Sequence, residues 1–217
     1  MEELNATIEL KQSRTGHSVP VIGGVHLHSI YNPEKEAQAF AASYEHSIKK
    51  KSHILILGLG FGYHCEEVAQ LASKYHENYK VVVIEPNQEL VRLHNEAGGF
   101  GDPNIQVMHS KQSASFYDSI DFVMFLSRRP AILRHETSFN MNKDFYRNFL
   151  TFKAQENMHS YQQLLSDNAR AFFPIKDATV DQALRSAKAA GTLKEKRDFA
   201  FFVLEAVVNS AKLNSKR

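Results

Sequence analysis

The 217 residues include a single cysteine, Cys65, so an intrachain disulfide is excluded, and a disulfide-stapled scaffold with it. No apolar run approaches the roughly 18 residues of a membrane helix, so no membrane span is expected. The first residues, Met1-Glu2-Glu3-Leu4, lack the basic and apolar stretches of a secretory signal. Together these absences point to a cytoplasmic protein. Internal repeats and low-complexity segments are missing as well. The net charge is only +2, which excludes a polycation. It hides an asymmetry: from Arg185 to Arg217, eight Lys/Arg against three Asp/Glu give +5, leaving −3 on the rest. Spread this thinly, the cations suit a solvated helix face or a surface for an acidic protein partner better than a nucleic-acid-binding block.

What is present is the balance of a globular protein, 43% hydrophobic and 23% charged residues, long enough to bury a core unaided. The first 31 residues read as β structure. Thr7 to Lys11 alternates polar and apolar, Ser13-Arg14-Thr15-Gly16 is turn chemistry, and Val19 to Leu27 offers one return strand or two broken at Gly23-Gly24. Asn32-Pro33-Glu34 is a helix start. Ala37, Phe40, Ala41, Tyr44 and Ile48 then give one apolar stripe.

From residue 53 the pattern becomes β-α-β-α-β. Ile54-Leu55-Ile56-Leu57 and Val81-Val82-Val83-Ile84 are strands buried on both faces. Helices are predicted over about Tyr63–Tyr75 and Gln88–Ala97. Asn104–Met108 reads as a third strand, Ile120–Leu126 as a fourth, and Pro130–Leu133 as a short fifth. This is the alternation of a Rossmann-like, doubly wound α/β sheet. After residue 140 only helices are expected: one capped by Asn142 that holds Phe145, Phe149 and Phe152 and runs on towards Phe172, then Thr179–Ala190 and Leu193–Leu213. The division is residues 1–140 as the sheet domain with its N-terminal hairpin and 141–217 as an all-helical extension. Phe172, Phe173, Phe199, Phe201 and Phe202 read as core or interface in that extension.

Gly58-Leu59-Gly60-Phe61-Gly62 follows the first buried strand and opens a helix. Glycines there permit a tight turn and close approach of a ligand, and the helix N-terminus presents free N–H groups. Tyr63 and His64 begin that helix: Tyr63 can stack on a base, and a neutral His64 can face the pocket. Glu85 ends the second strand at the ligand-bearing edge, where an acid accepts ribose hydroxyls, and Asn87 follows it. Gly58, Gly60, Phe61, Gly62, Tyr63, His64, Glu85 and Asn87 form the expected cofactor site.

This order of strand, GxGxG, helix, strand and acid resembles class I S-adenosylmethionine-dependent methyltransferases over about residues 53–126. The resemblance implies that the glycine loop lines the methionine moiety and Glu85 holds the ribose of S-adenosylmethionine. The chain differs in having Ser110-Lys111 after the third strand and Ser127-Arg128-Arg129-Pro130 after the fourth, where that family carries an adenine-binding Asp and an Asn/Asp-Pro-Pro-aromatic string. A second resemblance rests on Leu27-His28-Ser29-Ile30-Tyr31-Asn32-Pro33-Glu34-Lys35-Glu36-Ala37, on Gly58 to His64, and on Val83-Ile84-Glu85-Pro86-Asn87. These strings look like the N-terminal Rossmann-like domain of the motility-associated factor (Maf) glycosyltransferases, over about residues 7–150. It implies an accessory role in attaching nonulosonic sugars to flagellin, because the Gly-x-Gly-Pro-Ser string of that family's transferase domain is missing here. The ligand expected from both is S-adenosylmethionine or a nucleotide.

Other candidates are weaker. His28-Ser29, just before the capped helix, are placed to close over the glycine loop as substrate contacts. Arg128-Arg129 suit an anionic substrate through bidentate contacts, and Arg134-His135-Glu136 follow the last strand. Cys65 is expected to face the sheet as a small apolar group. His26 and His28 share a strand face, but no third ligand is set by spacing and no HxxxH string or cysteine pair occurs, so no metal is expected. No Gly-rich RNA signature accompanies the aromatics, so nucleic-acid binding is not expected.

Overall fold

The computed structural model describes residues 7–153, 165, 169 and 180–214. The chain divides into two compact units, Met1–Phe152 and Lys153–Arg217.

The first unit is an α/β fold with an N-terminal antiparallel sheet. Strands β1 (Ile8–Gln12), β2 (Ser18–Ile22) and β3 (Val25–His26) pair in that order, with the chain broken at Gly23-Gly24. Helix α1 (Pro33–Ser43) starts as the sequence predicts: the Asn32 side chain accepts a hydrogen bond from Lys35 N, with Pro33 in the first turn. The short α2 (Glu45–Lys50) follows. Then come β4 (His53–Leu57), α3 (Tyr63–Ser73), β5 (Lys80–Glu85), α4 (Gln88–Glu96), β6 (Ile105–His109), a 3-10 turn (Ser113–Asp118), α5 (Ile120–Ser127), β7 (Ala131–Arg134), α6 (Glu136–Met141) and α7 (Lys143–Leu150).

The second sheet is parallel in the order β6-β5-β4-β7. It is Rossmann-like and doubly wound: the chain steps outward from β4 to β6, then returns to the other side of β4. Alternation along the strands splits the core in two. Ile54, Ile56, Val81 and Val83 face one cluster with Ile48, Cys65, Val68, Ala69, Ala72 and Leu90. Leu55, Leu57, Val82 and Ile84 face the other, with Phe116, Phe122, Phe125, Phe139, Tyr146 and Phe149. A strand sandwiched between helical layers must be apolar on both faces, which is why these runs are continuous.

Two expectations are corrected. Residues 120–126 are the helix α5, and the fourth parallel strand is β7. Ser119 caps α5 by accepting from Phe122 N, and the buried residues are Phe122 and Phe125, three apart, while Val123 and Met124 are exposed. A strand would have buried alternate residues instead. The helix capped near Asn142 stops at Leu150. Its Tyr146 and Phe149 belong to the sheet's second cluster, so the first unit reaches Phe152 rather than residue 140.

Among the described residues beyond 140, regular structure is helical. The second unit contains α8 (Val180–Ala189) and α9 (Leu193–Asn214). Helix α9 opens on a capping box: Glu195 N donates to Thr192 Oγ1 and Thr192 N donates to Glu195 Oε2. Leu165, Ala169, Ala183, Phe199 and Phe202 form the cluster of this unit, and Phe201 is exposed. Thr179, Phe172 and Phe173 lie outside the described residues. No helix among the described residues is long and apolar enough to cross a membrane.

Candidate functional site

Parallel pairing brings the ends of β4, β5 and β7 to one edge of the sheet. The strand order reverses between β4 and β7, and in open α/β sheets that is where ligands bind. The glycine loop occupies this point. Gly58 N continues the ladder by donating to Ile84 O, and His135 N does so by donating to Leu57 O. Gly58 and Gly60 have φ of +103° and +54°, which an L side chain rarely adopts. Space imposes the same choice. A Cβ on Gly58 would lie 2.4 Å from Ser138 Cβ, and one on Gly60 would lie 2.4 Å from His28 Nε2. The loop is therefore packed under side chains of this chain, where the sequence suggested an open cradle.

Glu85 is 1% exposed. Its carboxylate accepts from Leu59 N and Asn87 N, both at 2.9 Å. One oxygen thus braces the glycine loop and the other the turn into α4, where a ribose acceptor was expected. Burial is the dominant cause that pushes its pKa up to about 7, against the two main-chain bonds. The Asn87 side chain caps α4 through Glu89 N and Leu90 N. Tyr63 donates its hydroxyl to Ser18 O, tying α3 to the hairpin. Phe61 is buried in the first cluster. Cys65 is buried there too, and burial pushes its thiol well up.

His28, His64 and His135 meet above the loop. They come from the segment before α1, the first turn of α3 and the residue after β7, and all three are buried. The His64 and His135 rings stack at 4.3 Å, and His28 lies 4.9 Å from His135 by ring centroids. Phe61 N donates to His28 Nε2 at 2.9 Å, which leaves His28 Nδ1 to carry the proton facing Glu36 Oε2 at 3.3 Å. Nε2 of His64 faces Gly58 O at 3.0 Å. A carbonyl only accepts, so this nitrogen carries the proton and Nδ1 is a bare lone pair. That Nδ1 is buried without a hydrogen-bond partner. His135 Nδ1 lies 2.8 Å from Ser138 Oγ. Burial above all, with neighbouring imidazoles second, holds His64 well below the usual histidine range and brings His135 down to about 3. Both rings are neutral at physiological pH.

The remaining predicted residues fall elsewhere. Ser29 Oγ accepts from Tyr31 N and Asn32 N, and its own N–H donates to Glu36, so it shapes the entry to α1. Arg128 and Arg129 precede β7, whose register pairs Ala131 with Ile54. They therefore sit at the amino edge of the sheet, across from the glycine loop. The misassigned α5 had placed them at the wrong end. His26 stays out of the histidine group, whose second and third members lie far along the chain.

A cleft of about 420 Å³ is lined by Pro86, Lys111, Gln112, Ser113, Ala114, Asn142, Phe145 and Asn148. It lies past the carboxyl ends of β5 and β6. The sequence marked Lys111 as a departure, Pro86 within a resembling string, and Asn142 and Phe145 as helix residues, but none of the eight as a ligand contact. Pro86 and Lys111–Ala114 follow β5 and β6, while Asn142, Phe145 and Asn148 come from the start and body of α7.

No family model matches the chain. An uncharacterized protein of Treponema pallidum (strain Nichols) is 34% identical over 80 residues, covering 36% of this chain and 26% of that protein. The match thus spans about a quarter of that relative's length. Spermidine synthase from Thermotoga maritima aligns with 67% of this chain and 59% of its own, at 13% identity and a TM-score of 0.44. A spermidine synthase in complex with the transition-state analogue AdoDATO gives the same values. MNMC2 from Aquifex aeolicus covers 94% of this chain and 86% of its own, at 13% identity and a TM-score of 0.38. Likenesses at this level carry no argument about function.

Proposed function

We propose that this chain is a Rossmann-type protein that binds a nucleoside-like small molecule, S-adenosylmethionine or a related adenosyl compound first among them, in the cleft beside Pro86. The observation that carries the reading is the cleft itself. It opens past the carboxyl ends of β5 and β6, with Pro86 directly after Glu85, at the edge where doubly wound sheets receive ligands. Its volume, about 420 Å³, is within the range of small-molecule sites. Its lining combines an aromatic face, Phe145, with a cation, Lys111, and the polar groups of Gln112, Ser113, Asn142 and Asn148. That set suits a base that stacks and a sugar or carboxylate that hydrogen-bonds.

In this reading the glycine loop and Glu85 are the scaffold of the site rather than its lining. The three strings that resemble the Maf N-terminal domain meet at the glycine loop: Phe61 N on His28, and Leu59 N on Glu85. Their convergence supports an accessory domain of that type, with transfer chemistry supplied elsewhere. The same strand–loop–acid order supports a second reading, methyl transfer from S-adenosylmethionine.

The test is thermal unfolding of the whole chain with S-adenosylmethionine, S-adenosylhomocysteine, methylthioadenosine and cytidine monophosphate. At 100 times the dissociation constant a ligand adds about 2.7 kcal/mol, a clear rise in melting temperature. Ala114→Trp adds bulk at an exposed lining residue of the cleft and should abolish that rise. No rise with any of the four, or a rise that survives Ala114→Trp, would sink the reading. Transfer of a labelled methyl group to protein or small-molecule acceptors would favour the second reading over the first.

A further inference from the structure

We propose that His28, His64 and His135 form a binding site for a divalent transition-metal ion of the zinc class. Each ring offers one nitrogen, and these atoms lie within 4.8 Å of one another. Ligands at the 2.0–2.1 Å of a zinc–imidazole bond sit roughly 3.3 Å apart in a tetrahedron. Metal binding therefore requires the rings to draw together. Three protein ligands leave the fourth position to water, the arrangement of zinc sites that do chemistry. Imidazole is a donor for zinc, copper, nickel and iron alike, so the donor set defines the class of metal rather than one element.

Three independent features go beyond proximity. First, His64 Nδ1 is a buried lone pair with no hydrogen-bond partner. A core that only packed these rings would leave that atom uncompensated. Second, one nitrogen of each ring already faces an oxygen: Glu36 Oε2 for His28, Gly58 O for His64, Ser138 Oγ for His135. Such outer contacts fix ring orientation in metal sites, and the carboxylate on His28 supplies charge to offset a dication. Third, the group stands where the strand order reverses, with the Phe40 ring 5.0 Å from His64 as an apolar wall. One bond competes. Phe61 N–H uses the Nε2 lone pair of His28, so metal ligation through that atom exchanges this bond for the metal and frees one main-chain donor.

The site does not depend on what the cleft binds, and its test uses metal alone. The full chain, stripped with a chelator, is titrated with Co²⁺ by visible absorption and with Zn²⁺ by calorimetry. One equivalent is expected, with the ligand-field bands of low-coordinate cobalt. His135→Gln should weaken binding by more than about tenfold. Glu36→Gln, at a half-exposed position, should weaken it by about tenfold. His46→Gln and His109→Gln remove exposed histidines outside the group and should leave uptake unchanged. Circular dichroism checks that each variant folds, and Glu36→Gln decides the matter if His135→Gln does not. Absence of stoichiometric uptake would overturn the proposal. So would uptake that Glu36→Gln leaves intact and the exposed-histidine variants reduce.

Discussion

Burial pushes the Glu85 carboxyl up to about 7, although Leu59 and Asn87 both donate main-chain N–H groups to it. The unfolded chain releases this proton near 4.5. Between those two values the folded state holds more protons, so stability falls as pH rises across the window, by about 3 kcal/mol in all. His64 and His135, held neutral by burial, act in the opposite sense: their stability is present above the usual histidine range and is lost as pH falls. The wild-type profile mixes the two slopes, and the difference from Glu85→Gln isolates the first. That variant should lose the decline between pH 4.5 and 7. It should also be less stable at low pH by about 1–3 kcal/mol, because an amide sets a donor against one of the two N–H groups. Urea unfolding over a pH series measures both, and parallel profiles would contradict the assignment. The position of Glu85 at the sheet edge was legible, since it follows directly from a buried strand of known direction. Which way the carboxylate turns was not, because that depends on Leu59 N, whose location is set by the loop's positive φ angles.

The elements that could be read from the sequence are those whose pattern has one solution. The tetrad Ile54–Leu57, followed at once by the glycine loop, suits a doubly covered strand, and Asn32-Pro33 suits a helix start. Residues 120–126 were misread because the short apolar run Phe122–Leu126 has no period to speak of. The signal that decides it is Ser119, an N-cap, and two phenylalanines three residues apart. The helix makes a prediction that a strand does not. Phe122→Ala should cost about 3–5 kcal/mol as a buried aromatic deletion, while Met124→Ala should change stability by less than about 0.5 kcal/mol. In a strand these two residues would share a face and both would be costly. Comparable losses at both positions in chemical denaturation would rule out the helix. The misreading also displaced Arg128 and Arg129 to the ligand edge, which shows how one wrong element carries its loop residues with it.

For the molecule as a whole, topology decides which distant residues share a site. The order β6-β5-β4-β7 brings His135 beside His28 and His64, and brings Lys111–Ala114 beside Pro86. No spacing in the chain encodes either meeting, so the histidine group and the cleft had to come from the fold, while the glycine loop and Glu85 were visible beforehand. The central claim is that the ligand occupies the cleft and not the glycine loop. Amide correlation spectra of the full chain, titrated with S-adenosylhomocysteine, test this directly. The largest shifts should fall on Lys111, Gln112, Ser113, Ala114 and Asn148. Shifts confined to Gly58–Gly62, or none at saturating ligand, would contradict it.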